Sequence, residues 1–183
     1  MARNDSASLV ERAAIPDVDE DDLEFTDGVR LGPLPVLKFT QTRDTPGQLL
    51  DYVPSSPHSM LVSSRFKDAL DSAGVDNIDY YPAEITNEST GKVHRGYYAA
   101  NIIGMIAGLD RSKTLYTPMP SFPDTVLEFK ELHLDLAKVH GAKVFRLQES
   151  CTTLLMHESV KQAIEKAGLR GMELLPAEGY EGI

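Results

Sequence analysis

Sliding the sequence 94 positions against itself lays residues 61–84 on residues 155–178. Leu61, Lys67, Ala69, Ala73, Gly74, Pro82, Ala83 and Glu84 meet Leu155, Lys161, Ala163, Ala167, Gly168, Pro176, Ala177 and Glu178 as identities. Each copy opens with an apolar run too short for anything but a strand, Met60-Leu61-Val62 or Leu154-Leu155-Met156. Phe66, Ala69, Leu70 and Ala73, and in the second copy Val160, Ala163, Ile164 and Ala167, then recur at i, i+3, i+4 and i+7. That spacing predicts a helix with one apolar stripe. Gly74 and Gly168 follow where a left-handed helix terminus favours glycine. A second strand, at 78–81 or 172–175, is expected to end at Pro82 or Pro176, which has no N–H for the ladder.

Two copies are too few for a solenoid, so the expected fold is one α+β domain. It is read as a pseudo-symmetric mixed or antiparallel sheet with two repeat-related helices packed on it, over residues 28–183. The repeat copies occupy 60–84 and 154–178. Between them, residues 97–107 form an apolar run expected as one buried central strand, with Gly104 a bulge or close-packing point. Short strands are expected at 29–31 and 36–39. A proline loop (Pro118, Pro120, Pro123) and strands at 126–136 and 143–147 complete the reading.

Ahead of this domain, residues 17–27 carry seven acidic side chains and no basic one. Like-charge repulsion favours an extended or irregular segment, so residues 1–27 are read as a flexible or extended acidic arm. The net charge of −10 disfavours nucleic acid, whose recognition rests on Lys and Arg neutralising phosphates. It favours a basic protein surface as partner. Asp17, Asp19, Glu20, Asp21, Asp22 and Glu24 are therefore the candidate contact residues. The longest uncharged stretch, residues 96–109, is 14 residues, short of a membrane-spanning helix. No secretory signal pattern opens the chain, and the single cysteine rules out an intramolecular disulfide, so a cytoplasmic location is expected.

The chemistry-bearing motifs are missing. No Gly-rich phosphate loop, Gly-x-Ser-x-Gly elbow or His-Glu-x-x-His helix occurs, and no two histidines stand at i, i+4. His133 and Asp135 share one side of a strand, which reads as a surface pair rather than a metal site because nothing completes a coordination set. Cys151 lies six residues from His157, but opening an apolar run it reads as a buried structural thiol. Asn101, in the most apolar strand, is expected to be hydrogen-bonded and to fix register. No catalytic residue, metal or cofactor is assigned.

Residues 60–70 (Met-Leu-Val-Ser-Ser-Arg-Phe-Lys-Asp-Ala-Leu), then Ala73-Gly74, Tyr80-Tyr81-Pro82, Tyr97-Tyr98-Ala99-Ala100-Asn101-Ile102-Ile103-Gly104 and Leu109-Asp110, form an ordered pattern. Together with Val144-Phe145-Arg146-Leu147 and the second copy, it resembles an immunity-protein family of bacterial polymorphic toxin systems over residues 28–178. The second copy departs from the pattern at His157-Glu158-Ser159-Val160. The resemblance implies neutralisation of a cognate toxin, encoded by the adjacent gene and often delivered by contact-dependent or type VI secretion, through stoichiometric binding. It brings no catalytic residue. An effector adaptor or chaperone is the alternative, and a small-molecule enzyme at the cleft between the repeats the third reading.

Overall fold

The computed structural model describes residues 2–3, 10–13, 24–42, 47–56, 59–139 and 141–182. Alternating burial builds its central feature, a closed barrel of six strands: β2 (Val10–Arg12), β3 (Leu37–Gln41), β4 (Tyr52–Ser56), β5 (Met60–Ser63), β6 (Ile78–Asn87) and β7 (Val93–Ile102). Leu37, Phe39 and Gln41 of β3 point inward while Lys38 is exposed, the period-2 pattern of a strand with one wet face. Val10, Val53, Leu61, Tyr81, Ala83, Ile85, Ala99 and Phe25 fill the interior with them. Ring order is β2-β3-β6-β7-β5-β4, and closure leaves these strands no free edge.

The outer side of β5 and β7 is also buried. Met60, Val62, Ala100 and Ile102 pack there against Phe66 and Leu70 of α1 (Ser64–Ser72) and Val160 and Ile164 of α3 (Glu158–Lys166). Both helices have nine residues, and both are capped as their sequences dictate. Ser63 accepts from the Phe66 N–H at 3.2 Å, and His157 Nδ1 accepts from the Ser159 N–H at 3.1 Å. Gly74 and Gly168 follow the C-caps at φ +72° and +61°.

Two three-stranded sheets enclose a third core. One has the order β14-β10-β9 and the other β12-β11-β8. Their strands are β8 (Met105–Ile106), β9 (Leu115–Met119), β10 (Phe122–Leu132), β11 (Val144–Leu147), β12 (Ser150–Met156) and β14 (Tyr180–Gly182). Leu109, Val126, Phe129, Leu132, Phe145, Leu147, Leu155 and Tyr180 form its buried centre. A short helix α2 (Leu136–Val139) follows β10, and β1 (Ala2–Arg3) pairs with β13 (Glu173–Leu174).

The α+β class stands, but the sheet arrangement differs from the sequence reading. The first repeat unit lies in the barrel, where β6 runs parallel to β3 and antiparallel to β7. The second enters its helix from β12, in a separate sheet, and its last strand is the two-residue β13. β6 does not stop at Pro82 but continues to Asn87. Pairing with β3 begins only at Ala83, so the missing N–H falls before that ladder starts. The expected strand at 97–107 is broken: β7 ends at Ile102, and Gly104, at φ +86°, turns the chain and donates its N–H to Gly28 O at 2.7 Å. The proline loop is in part a hairpin, since Pro118 and Pro123 lie within β9 and β10. Residues 29–31 are not a strand. Within residues 1–27, Val10–Arg12 is a barrel strand and Phe25 is 1% exposed, so these described residues belong to the barrel.

Candidate functional site

Of the six candidate contact carboxylates, only Glu24 lies among the described residues; Asp17, Asp19, Glu20, Asp21 and Asp22 lie outside them. Glu24 is half-buried and turned onto its own backbone, Oε1 accepting from the Thr26 N–H at 3.2 Å and the Thr26 hydroxyl at 2.7 Å. The chain is fixed on both sides of the acidic run. Before it, the Ala13 N–H donates to Lys38 O at 2.8 Å. After it, Phe25 meets Tyr81 edge-on at 5.9 Å, with the Arg12 guanidinium 5.7 Å from its ring centroid. Burying a phenylalanine stabilises by roughly 1.5–3 kcal/mol, enough to hold this end of the run against the barrel.

The two helices α1 and α3 do not close on each other along their whole length. A groove of about 800 Å³ runs between α1 and α3, where Ala69 and Ala73 on one side and Ala163 and Ala167 on the other leave space. Arg65 closes one end, with Nη2 donating to Ala167 O at 2.8 Å and Nη1 3.4 Å from each carboxylate oxygen of Asp51. Asp51 is the hub. It also accepts from the Ser63 hydroxyl at 2.8 Å and from the Arg170 N–H at 3.1 Å, so one carboxylate ties the first helix's N-cap to the loop that follows the second helix.

The groove's hydroxyls are committed to structure. Ser72 donates to Ala69 O within its own helix. Ser159 lies 2.9 Å from His157 Nδ1, which already accepts the Ser159 N–H as an N-cap. A nucleophile–base pair needs a third group to orient the base, and among the described residues no carboxylate contacts His157. Cys151 is half-buried rather than buried, and it and His157 sit near opposite ends of β12 and just beyond it, on the order of 20 Å apart at the rise of an extended chain.

His133 and Asp135 do not converge. His133 has a carboxylate at each nitrogen, Glu178 at 2.5 Å from Nδ1 and Glu131 at 3.0 Å from Nε2. Those two hydrogen bonds, Glu178's first, raise its pKa. Asp135 instead accepts from the Ala137 N–H at 3.2 Å in the first turn of α2. No group of three or more His, Cys, Asp or Glu side chains placed to hold a metal ion occurs among the described residues. Asn101 is fully buried, and its amide donates to Val29 O at 2.7 Å, pinning that segment to β7. Among the described residues no helix is long and apolar enough to cross a membrane.

Residues 3–179 match the model of the Immunity protein family (Imm11). No curated protein matches the chain.

Proposed function

The chain belongs to the Imm11 immunity protein family, and on that premise we propose that it protects its host by binding a cognate bacterial toxin stoichiometrically. The observation that carries this reading is the extent of the family match, which spans nearly the whole chain. In this reading the protein acts in the cytoplasm without catalysis or cofactor. Its toxin is encoded by the adjacent gene and delivered by contact-dependent or type VI secretion. The two strand–helix units are the products of a duplication, a view supported by their equal helix lengths, side-chain N-caps at corresponding positions and positive-φ glycines.

Asp17, Asp19, Glu20, Asp21, Asp22 and Glu24 would steer a basic toxin toward the chain, supported by the net charge of −10 and by the anchors at Ala13 and Phe25. Deleting residues 1–27 would remove a barrel strand, so the test is neutralisation: Asp→Asn at 17, 19, 21 and 22 with Glu20→Gln and Glu24→Gln. Slower association with a flatter salt dependence is expected. Unchanged kinetics and salt slope would remove these carboxylates from the account. A complex in which the toxin stays active would point instead to an adaptor.

A further inference from the structure

Three of the large apolar side chains that stay exposed lie in the hairpin of β9 and β10: Leu115 at 57%, Phe122 at 63% and Leu127 at 45%. An isolated exposed leucine is ordinary, but several on one small element mark an interaction surface. The strand register places Leu115 and Phe122 on one side. Leu115, Thr117 and Met119 alternate onto one face of β9, and their cross-strand partners Glu131, Glu128 and Phe122 must lie on that same face. The other face carries Tyr116 opposite Phe129 and Pro118 opposite Val126, and Phe129 and Val126 are sealed in the third core. Leu127 is the extra residue of a bulge between the Val126 and Glu128 pairings.

We propose that this outer face, Leu115, Met119, Phe122 and Leu127 with Glu128 and Glu131, is where the toxin docks, through a basic surface with an apolar pocket for Phe122. The inference rests on the immunity reading. Charge selects the occupant. The paired positions hold Glu128 and Glu131, the second of them 3.0 Å from His133 Nε2, and Lys130 stands exposed at a second bulge, so the preference for a basic partner is carried by Glu128 and by the chain's net charge of −10. Glu128's one contact among the described residues is the Thr117 hydroxyl at 3.4 Å. A second copy is a poor fit, because a two-fold contact sets this acidic face against itself in a chain of net charge −10. Strand addition along β9 is poor as well, because Pro118 lacks a donor and the ladder beside it shifts register three times. Aromatic side chains such as Phe122 are among those that concentrate binding energy at an interface.

The test uses the full chain and the product of the adjacent gene as probe. Leu115→Ala with Phe122→Ala should weaken the complex about 30-fold or more while the melting curve stays that of the parent. Glu128→Lys should slow association. Amide exchange in the parent complex should show residues 115–131 protected, a readout that does not depend on any variant folding. If the parent binds and both variants bind equally well without protection of 115–131, the docking face is overturned and the immunity reading survives. If the parent does not bind, the immunity reading falls and this inference with it. A dimer of the chain alone that the double variant disperses would assign the face to a second copy and overturn it.

Discussion

Replacing Asp51 by alanine removes the acceptor on which the Ser63 hydroxyl, the Arg65 guanidinium and the Arg170 N–H converge. Its side chain is 11% exposed, whereas that of Arg65 is 63% exposed. The ion pair is long and wet, so its share is at most about 1 kcal/mol. The other two are hydrogen bonds to a charged, largely buried acceptor, a class worth about 1.5–3 kcal/mol each before water recovers part of the loss. The expected cost of Asp51→Ala is about 2–4 kcal/mol. At roughly 2–4 °C per kcal/mol for a domain of this size, Tm should fall by about 4–16 °C. Arg65→Ala should cost no more than about 1 kcal/mol. Urea and thermal unfolding of both variants decide the matter. An Asp51→Ala variant within about 0.5 kcal/mol of the parent would refute the hub, and an equal loss in Arg65→Ala would move the stabilisation to the ion pair.

Leu70 and Ile164 are 0% and 4% exposed on facing helices, so Leu70→Ala and Ile164→Ala should each destabilise by about 2–5 kcal/mol; coincident melting curves would contradict the shared helix core. A Cβ on Gly171 would lie 2.3 Å from Tyr52 O at φ +112°, so Gly171→Ala should lower the urea midpoint by the equivalent of about 1–3 kcal/mol, and an unshifted midpoint would count against this close approach. His133 has a raised pKa, so its pairing with Glu178 and Glu131 is complete below its ordinary value of 6.5 and is lost as pH rises through the raised one. Glu178 is lowered by the same bond and loses its part as pH falls through its own depressed value, so the link between the end of β10 and the C-terminal segment is firmest between about 4.5 and 6.5. A His133 ring titration by NMR should have its midpoint above 6.5; a midpoint at or below it would contradict the paired geometry.

The two repeat helices were legible because everything that defines them is local. A four-residue apolar stripe, a capping position and a terminal glycine fall within about a dozen residues of each other. The barrel was not, because it depends on pairings between distant segments. The parallel contact of β3 with β6 joins Leu37 to Ala83, and β2 is three residues in a polar stretch. Val10 is followed by Glu11 and Arg12, and Phe25 is flanked by Glu24 and Thr26, so neither belongs to a sustained periodic run, and an acidic stretch with barrel anchors reads as a tail. Pro118 and Pro123 suggest a loop, but Pro118 lies in the edge strand β9, where a missing donor is tolerated, and Pro123 falls in the register shift between Phe122 and Val126. Asp51 left no mark in the sequence, since its side-chain partners are 12, 14 and 119 positions away.

Immunity by binding is tested most directly by co-expressing the chain with the product of the adjacent gene, reading growth and recovering any complex by size exclusion. The account predicts that the partner alone arrests growth, that co-expression restores it, and that the two proteins elute together at a fixed stoichiometry. Growth arrest that persists despite equal expression of the chain, with no shared elution peak, would contradict it.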